Sequence, residues 1–175
     1  MNLLENRLAV RTGAASGIGE ASANLFAENG AKVLAFDLDD SIIEKFKDNN
    51  SITGFKLDIA SSSAPEIISN TIQEVLGGLD ILMNNAGVVS GSPIEEMQDE
   101  EWDKVFAVNS KAVFFCGKFF IPHMKKQKSG TIINISSNYG LLGPDFDTYE
   151  NEKLWTPPGY AVTKSAILNL TRYVA

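Results

Sequence analysis

Short apolar runs of strand length alternate with helical patterns along this chain, and that alternation restricts the possible folds more than any other feature. The predicted strands are 7–10, 32–37, 52–58, 79–85 and 130–136, and the predicted helices are 17–29, 40–48, 64–76, 99–127 and one from about 159 onward. Because parallel strands need crossover connections, the pattern predicts an α/β fold with helices on both faces of a parallel sheet. We expect a doubly wound sheet of order 3-2-1-4-5, with ligands beyond the carboxyl ends of its strands.

Length and charge exclude several classes of protein. A chain of 175 residues predicts a single domain over residues 1–175. The formal net charge of -7 opposes nucleic acid as a partner, because binding to a phosphate backbone needs a basic face. No signal sequence is recognised at the N-terminus and no long run of apolar residues follows, so we expect no membrane partner.

Cysteine and histidine usage bears on metals and on location. Cys116 is the only cysteine and His123 the only histidine, so an intramolecular disulfide and a cysteine-based metal site are both excluded. We therefore expect no metal and a reducing, cytoplasmic location.

The stretch GYAVTKSA places Tyr160 and Lys164 four residues apart within a predicted helix. Residues four apart lie on the same helical face, so the lysine ammonium is expected within a few ångströms of the phenol. A neighbouring cation lowers the pKa of a tyrosine phenol toward the neutral range, where it can exchange protons. Taken alone, the pair proves little, and a lysine extending past a half-buried tyrosine is the reading that it favours.

A glycine-rich loop, TGAASGIG, follows the first predicted strand and opens the first predicted helix. Gly13, Gly17 and Gly19 allow a tight turn and a close approach of a pyrophosphate to the N–H groups of the new helix. Asp37 ends the second predicted strand about twenty residues later, which is the layout of a dinucleotide site. A carboxylate there accepts hydrogen bonds from the adenosine ribose hydroxyls and repels a 2′-phosphate, so we expect NAD rather than NADP. A close-packed turn, with Asp37 capping the next helix, is the alternative.

Five motifs in order resemble the short-chain dehydrogenase/reductase family: TGAASGIG, NNAG at 84–87, Asn109, INISS at 133–137 and YAVTK. The resemblance is collinear over nearly the whole chain. It implies a Rossmann-type fold, a nicotinamide cofactor and hydride transfer between C4 of the nicotinamide and a small-molecule alcohol or carbonyl.

The resemblance also implies roles for four residues. Tyr160 would be the general acid/base. Lys164 would favour the phenolate and hold the nicotinamide ribose. Ser137 would donate a hydrogen bond to the substrate oxygen, and Asn109 would bind a water that links Lys164 to solvent.

Cofactor contacts carry over in the same way. Asp58 would contact the adenine amino group, or else cap the following helix. The full set implied for the cofactor is Gly13, Ser16, Gly17, Ile18, Gly19, Asp37, Asp58, Ile59, Asn85, Ala86, Gly87, Tyr160 and Lys164. The family resemblance further implies a homodimer or homotetramer formed through the helices at 99–127 and from 159 onward.

Three features depart from the family pattern. About ten extra residues separate Ser137 from Tyr160, and we interpret 143–159 as a specificity loop whose aromatic and acidic residues suit a sugar derivative, with a solvated loop as the alternative. Arg11 replaces an apolar residue in the first strand, where it either reaches toward the pyrophosphate cleft or marks a degraded copy or a sequence error. The chain ends at Ala175, and the resemblance implies further strands and a helix beyond it.

Two other functions stay open at this point. A non-catalytic nucleotide-binding or interaction module is the first. A sugar-nucleotide epimerase or dehydratase is the second, but such proteins usually space their glycines as GxxGxxG, whereas this chain has GxxxGxG.

Overall fold

A computed structural model describes residues 2–89, 92–148 and 156–175. The strands are β1 Leu8–Thr12, β2 Lys32–Asp37, β3 Ile52–Lys56, β4 Ile81–Asn84 and β5 Thr131–Asn134. The helices are α1 Gly17–Glu28, α2 Ser41–Phe46, α3 Ala64–Val75, α4 Asp99–Phe106, α5 Ala112–Gln127 and α6 Pro158–Val174. A π-helical turn, Ala107–Lys111, lies between α4 and α5.

The strands form one parallel sheet of order β3-β2-β1-β4-β5. Val10, at the centre of β1, pairs with Leu34 on one side and Leu82 on the other. The predicted α/β, Rossmann-type fold and its strand order are confirmed. The carboxyl end of β1 therefore lies between β2 and β4, where the strand order reverses.

The chain divides into two compact units. The first comprises Met1–Ala86 and Phe115–Asn134, and it contains the whole sheet. The second comprises Gly87–Phe114 and Ile135–Ala175, and it contains α4, the π-helical turn and α6. The expectation of a single domain stays a prediction.

Both faces of the sheet in the first unit are covered, because side chains alternate between faces along each strand. On one face Val10 packs in a cluster with side chains of α3 and α5, such as Ile68 and Phe120. On the other face Ala9 packs with side chains of α1 and α2, such as Ala23 and Ile42. The prediction of helices on both faces is confirmed.

One helical stretch, Asp99–Gln127, is long and apolar enough to cross a membrane by length and composition alone. Within the first unit, however, Cys116, Phe120 and Met124 of this stretch are buried in the cluster on the sheet. Core helices of proteins without membrane spans meet the same criteria. The absence of a membrane partner stays a prediction.

Several strand ends differ from the prediction. β1 continues to Thr12, two residues beyond its predicted end, whereas β3 stops at Lys56 and β5 at Asn134. Leu57 still donates its N–H to the carbonyl of Asp37, at 2.7 Å. The predicted β3 and β5 therefore run two residues past the regular ladder, since backbone pairing, and not apolar character, determines where a strand ends.

Arg11 is the unexpected feature of the core. Its side chain is fully buried, so the alternative in which it reaches into an open cleft is wrong. The guanidinium carbon lies 5.0 Å from the ring centroid of Phe26 in α1. Within the described part of the chain, none of its three guanidinium nitrogens has a hydrogen-bond partner. Burial lowers the pKa of Arg11 to about 10, because removing water disfavours the charged form.

Replacing Arg11 should stabilise the protein. An Arg11→Met variant keeps a long apolar side chain against Phe26 and removes a buried, unpaired cation, so its free energy of unfolding should rise by about 1–4 kcal/mol. Urea unfolding measures the change. Arg7→Met is the control, because Arg7 is half exposed and paired with Asp80. A fall in stability for Arg11→Met would contradict this account of the core.

Candidate active site

In the first unit, the loop after β1 is bound to the turn after β4. The hydroxyl oxygen of Thr12 accepts the backbone N–H groups of Asn85 and Ala86, both at 3.2 Å. The side-chain amide of Asn85 donates in return to the carbonyls of Thr12 and Gly13, at 3.1 and 2.9 Å. The predicted cofactor residues Gly13, Asn85 and Ala86 are therefore close together at the centre of the sheet's carboxyl edge.

Two of the three motif glycines allow close backbone approaches. Gly13 has φ +65°, and a Cβ there would lie 2.6 Å from Cα of Ala86. A Cβ on Gly19 would lie 1.7 Å from the carbonyl oxygen of Gly13. Any side chain at Gly19 would push α1 away from the loop, so the motif brings the helix N-terminus close to the end of β1.

The N-terminus of α1 is open. Ser16 is its N-cap and makes no side-chain capping bond, Gly17 has φ +53° with no atom within 4 Å of a Cβ placed there, and Ile18 is largely exposed. Room beside a helix N-terminus suits a pyrophosphate, which accepts hydrogen bonds from the first N–H groups and is favoured by the helix dipole. The residues present therefore fit a dinucleotide.

Asp37 lies at the end of β2, as predicted. One carboxylate oxygen accepts the N–H of Ala15 in the glycine loop, at 2.8 Å, and the other accepts the N–H of Asp39, at 3.0 Å. The N-cap of α2 is Asp40, so the alternative in which Asp37 caps that helix is wrong. A carboxylate has about four acceptor positions, so this one retains acceptors for ribose hydroxyls.

Asp58 and Ile59 lie in the loop after β3. The carboxylate of Asp58 accepts the N–H of Ala60 at 2.9 Å, and the N-cap of α3 is Ser63. The alternative in which Asp58 caps α3 is therefore wrong, because the helix begins five residues later than that reading requires. Asp58 is exposed and Ile59 half-buried. Their contacts with adenine stay predictions.

In the second unit, Lys164 is a buried cation. It is only 5% exposed, and its ammonium nitrogen donates to the carbonyl of Ile135 at 2.7 Å. Burial lowers the pKa of Lys164, because removal from water disfavours its charge. The nitrogen lies 5.5 Å from the centroid of the Tyr160 ring, which is the proximity that the four-residue spacing predicts.

Asn109 lies in the π-helical turn and is buried. Its side-chain oxygen accepts the N–H of Val88 at 2.8 Å, and its amide nitrogen donates to the carbonyl of Val88 and the hydroxyl of Thr163, at 2.9 and 3.2 Å. Both amide hydrogens are used within the protein. The role of Asn109 in holding a water that links Lys164 to solvent stays a prediction.

Gly87 and Ser137 also belong to the second unit. A Cβ on Gly87 would lie 3.4 Å from the side-chain oxygen of Asn109 and 3.6 Å from the ammonium of Lys164. Ser137 is the N-cap of a 3₁₀ turn, where its oxygen accepts the N–H of Tyr139 at 3.2 Å and its hydroxyl donates to Asn138 at 3.0 Å. Ser137 thus has the structural role of a turn serine, and its catalytic role stays a prediction.

Sequence reasoning missed three hydroxyl residues. Thr12 connects the glycine loop to the turn after β4, Thr163 contacts Asn109, and Ser136 donates to the backbone carbonyl of Lys164 at 2.8 Å. All three stand within quoted motifs, Thr12 in TGAASGIG, Ser136 in INISS and Thr163 in YAVTK, so their place in those motifs was the only available signal.

Two further predictions concern metals and the long loop. The described residues contain no group of three or more His, Cys, Asp or Glu side chains that could hold a metal, and the absence of a metal stays a prediction. Of the aromatic residues predicted to form a specificity loop, Phe146 is exposed in a 3₁₀ turn. Tyr149 and Trp155 lie outside the described residues.

The sequence profile of a family described as short chain dehydrogenase matches residues 7–175. An uncharacterized oxidoreductase of Thermotoga maritima is 38% identical over 98% of this chain and 65% of its own length. A 3-oxoacyl-[acyl-carrier-protein] reductase of the same organism is 33% identical, over 97% of this chain and 67% of its own length. Meso-2,3-butanediol dehydrogenase of Serratia marcescens is 35% identical, over 98% of this chain and 65% of its own length. The chain thus spans about two thirds of the length of these relatives.

The glycine loop generates a stability prediction with an internal control. Gly13→Ala requires a positive φ and a Cβ 2.6 Å from Ala86, so we expect it to lower the free energy of unfolding by about 2 kcal/mol or more. Gly17→Ala requires a positive φ in open space, so the loss should be only about 1 kcal/mol. Chemical denaturation of both variants measures the difference. Equal losses would contradict the close approach of Gly13 to Ala86.

Burial of Lys164 predicts a dependence of stability on pH. The folded protein binds this proton less tightly than the unfolded chain, so the free energy of unfolding should increase as pH rises from the lowered folded-state pKa to the ordinary value of 10.5. In Lys164→Met that contribution should be absent. Urea unfolding of both proteins at several pH values up to 10.5 measures it, and parallel stability curves would show that Lys164 is not desolvated.

Proposed function

The chain belongs to the short-chain dehydrogenase family, and from that membership we propose that it is an NAD-dependent oxidoreductase that interconverts an alcohol and a carbonyl compound. The observation that carries the proposal is the pairing of a buried Lys164 with Tyr160, 5.5 Å from the ring centroid, in a chain that also has an open dinucleotide loop. Buried lysines are costly, so a lysine held beside a tyrosine by burial and hydrogen bonding is typical of a functional site.

Binding of the dinucleotide is assigned to the first unit. The open N-terminus of α1 would hold the pyrophosphate, with the backbone of Ser16, Gly17 and Ile18 as donors. Asp37 would accept the adenosine ribose hydroxyls. When bound, the nicotinamide supplies or accepts a hydride at C4.

The preference for NAD rests on Asp37. Its two oxygens accept N–H groups that hold the side chain at the end of β2, and a carboxylate next to the ribose repels a 2′-phosphate. The glycine loop contains no basic residue that would offset that repulsion. Both points support NADH over NADPH.

Proton transfer is assigned to Tyr160. In reduction, its hydroxyl donates a proton to the carbonyl oxygen as a hydride adds to the carbonyl carbon; in oxidation, the phenolate removes the alcohol proton. The Lys164 ammonium stabilises the phenolate electrostatically. Ser137 donates a hydrogen bond to the same substrate oxygen, and Asn109 takes part in returning a proton from solvent.

The finer details are proposals of the same kind. A sugar derivative as substrate rests on the aromatic and acidic composition of 143–159. A cytoplasmic location rests on cysteine usage, a single buried Cys116.

A homodimer or homotetramer is supported by an apolar groove of about 650 Å³ in the second unit. The groove is lined by α4, the π-helical turn and α6, and Phe114 beside it is half exposed. A second copy of the chain is the occupant we propose.

Replacing the tyrosine tests the chemistry. Tyr160→Phe should lower kcat by at least about a hundredfold, because it removes the proton donor, while leaving the affinity for NADH nearly unchanged. Steady-state kinetics with a panel of ketones, diols and sugar derivatives, together with an NADH titration, gives both values. Tyr173→Phe is the control, since Tyr173 lies on the same helix and is 89% exposed. Undiminished turnover in Tyr160→Phe would rule out the assignment.

Replacing Asp37 tests cofactor preference. Asp37→Asn keeps the shape of the side chain and removes its charge, so the ratio of the Kd values for NADPH and NADH should fall by about tenfold, or ~1.4 kcal/mol. Fluorescence titration with each nucleotide measures the ratio. Asp39→Asn removes a neighbouring exposed charge and should change it much less. A ratio unaffected by Asp37→Asn would show that NAD is not selected by this carboxylate.

A further inference from the structure

We propose that the hydroxyls of Ser136, Thr163 and Ser165 position Lys164, and through it Tyr160, for proton transfer. We call these three side chains the hydroxyl bracket. The proposal rests on the function proposed above, and all of its residues lie in the second unit.

The first observation is that Lys164 depends on the loop after β5 for its place. Its ammonium donates to the carbonyl of Ile135, the residue that precedes Ser136. A buried ammonium cannot exchange that partner for water freely. The position of the charge is therefore determined by how the segment 135–140 sits against α6.

Ser136 and Ser165 bind that segment to α6 in opposite directions. The hydroxyl of Ser136, on the segment, donates to the backbone carbonyl of Lys164 at 2.8 Å. The hydroxyl of Ser165, on the helix, donates to the carbonyl of Gly140 at 2.7 Å. The two bonds hold both ends of the segment, and they act on the backbone immediately at and after Lys164.

Gly140 permits this close contact. A Cβ on Gly140 would lie 2.8 Å from the carbonyl oxygen of Lys164 and equally close to the hydroxyl oxygen of Ser136. Only a residue without a side chain allows the segment to approach the helix backbone so closely at this point. The same segment carries Ser137, the predicted donor to the substrate oxygen.

Thr163 connects the helix to the π-helical turn. Its hydroxyl donates to the carbonyl of Tyr160 at 2.9 Å and accepts from the side-chain amide of Asn109 at 3.2 Å. Thr163 is fully buried, so these bonds do not compete with solvent. Thr163, before Lys164, thus bonds to the π-helical turn, and Ser165, after it, bonds to the segment 135–140. The backbone carbonyl of Lys164 itself accepts the hydroxyl of that segment's serine.

Such positioning has a chemical consequence. A misplacement of about 1 Å in a catalytic group costs up to a hundredfold in rate even when every reacting group is present. Removing one hydroxyl leaves Lys164 and Tyr160 in the protein but lets the helix shift against the segment. The expected loss is in kcat, and not in the affinity for NADH.

The test compares Ser136→Ala and Thr163→Val with Thr71→Val. Thr71 is the matched control, because its hydroxyl also donates to a backbone carbonyl, that of Ile67 at 2.8 Å, on an exposed face of α3. We expect kcat to fall by about tenfold in each bracket variant, with little change in KM. The pH at half-maximal kcat should also move to a higher value, because a displaced Lys164 ammonium interacts less strongly with the reacting phenol. Ser136→Thr retains the hydroxyl and should restore most of kcat.

A second measurement does not depend on turnover. Titration of the lysine side chains by ¹³C NMR, assigned with Lys164→Met, follows the ammonium directly. Loss of a bracket hydroxyl should admit water and move the midpoint of Lys164 back toward that of an ordinary lysine, whereas Thr71→Val should leave it in place.

The two readouts separate the two proposals. Movement of the Lys164 midpoint in a protein that shows no turnover would support the bracket and count against the proposed function. Unchanged midpoints and an unchanged kcat in folded bracket variants would overturn the bracket while leaving the proposed function intact. A kcat that falls only in proportion to the folded fraction, with the midpoint unmoved, would also overturn it.

Discussion

The contact between the ends of β1 and β4 is the constraint on which the carboxyl edge of the sheet in the first unit depends. Thr12 accepts two N–H groups from the turn after β4, and Asn85 donates to two carbonyls of the loop after β1. These four bonds satisfy backbone groups where the parallel ladder ends, at the point where the strand order reverses. The loop is thereby held so close to the turn after β4 that only glycine fits at position 13, and the N-terminus of α1 stays open.

The second unit differs in that it buries a charge. Lys164 loses hydration, and one carbonyl and the nearby ring of Tyr160 compensate only in part. The uncharged hydroxyls of Ser136 and Thr163 donate to the backbone carbonyls of Lys164 and Tyr160, and so hold the backbone around the charge. This combination gives a desolvated cation in a defined place, which is the condition under which a cation most strongly favours a nearby phenolate. Arg11, by contrast, is buried without a hydrogen-bond partner among the described residues, and it serves no role that the structure explains.

The fold could be predicted, and so could the positions of the glycine loop and Asp37 at strand ends, because both follow regular patterns. Strand and helix periods differ, so the element order and the sheet topology follow from apolar spacing. Gly13, Gly19 and Asp37 stand at fixed distances from the end of a strand. Thr12 and Ser136 could not be found in this way, because a hydroxyl that bonds to a distant backbone atom leaves no periodic signal. The bond from Ala15 to Asp37 likewise depends on tertiary approach, over 22 residues. The capping role considered for Asp58 was wrong because the start of α3 depends on local turn geometry.

The central claim is that this chain carries a hydride between a nicotinamide and a carbonyl carbon. Incubation of the purified protein with NADH deuterated at C4 and a panel of carbonyl compounds, followed by mass spectrometry of the products, tests it directly. The account predicts an alcohol product with one deuterium on the former carbonyl carbon, from only one of the two C4-labelled forms of NADH. Saturable binding of NADH with no deuterium in any product would contradict the claim and favour a non-catalytic nucleotide-binding protein.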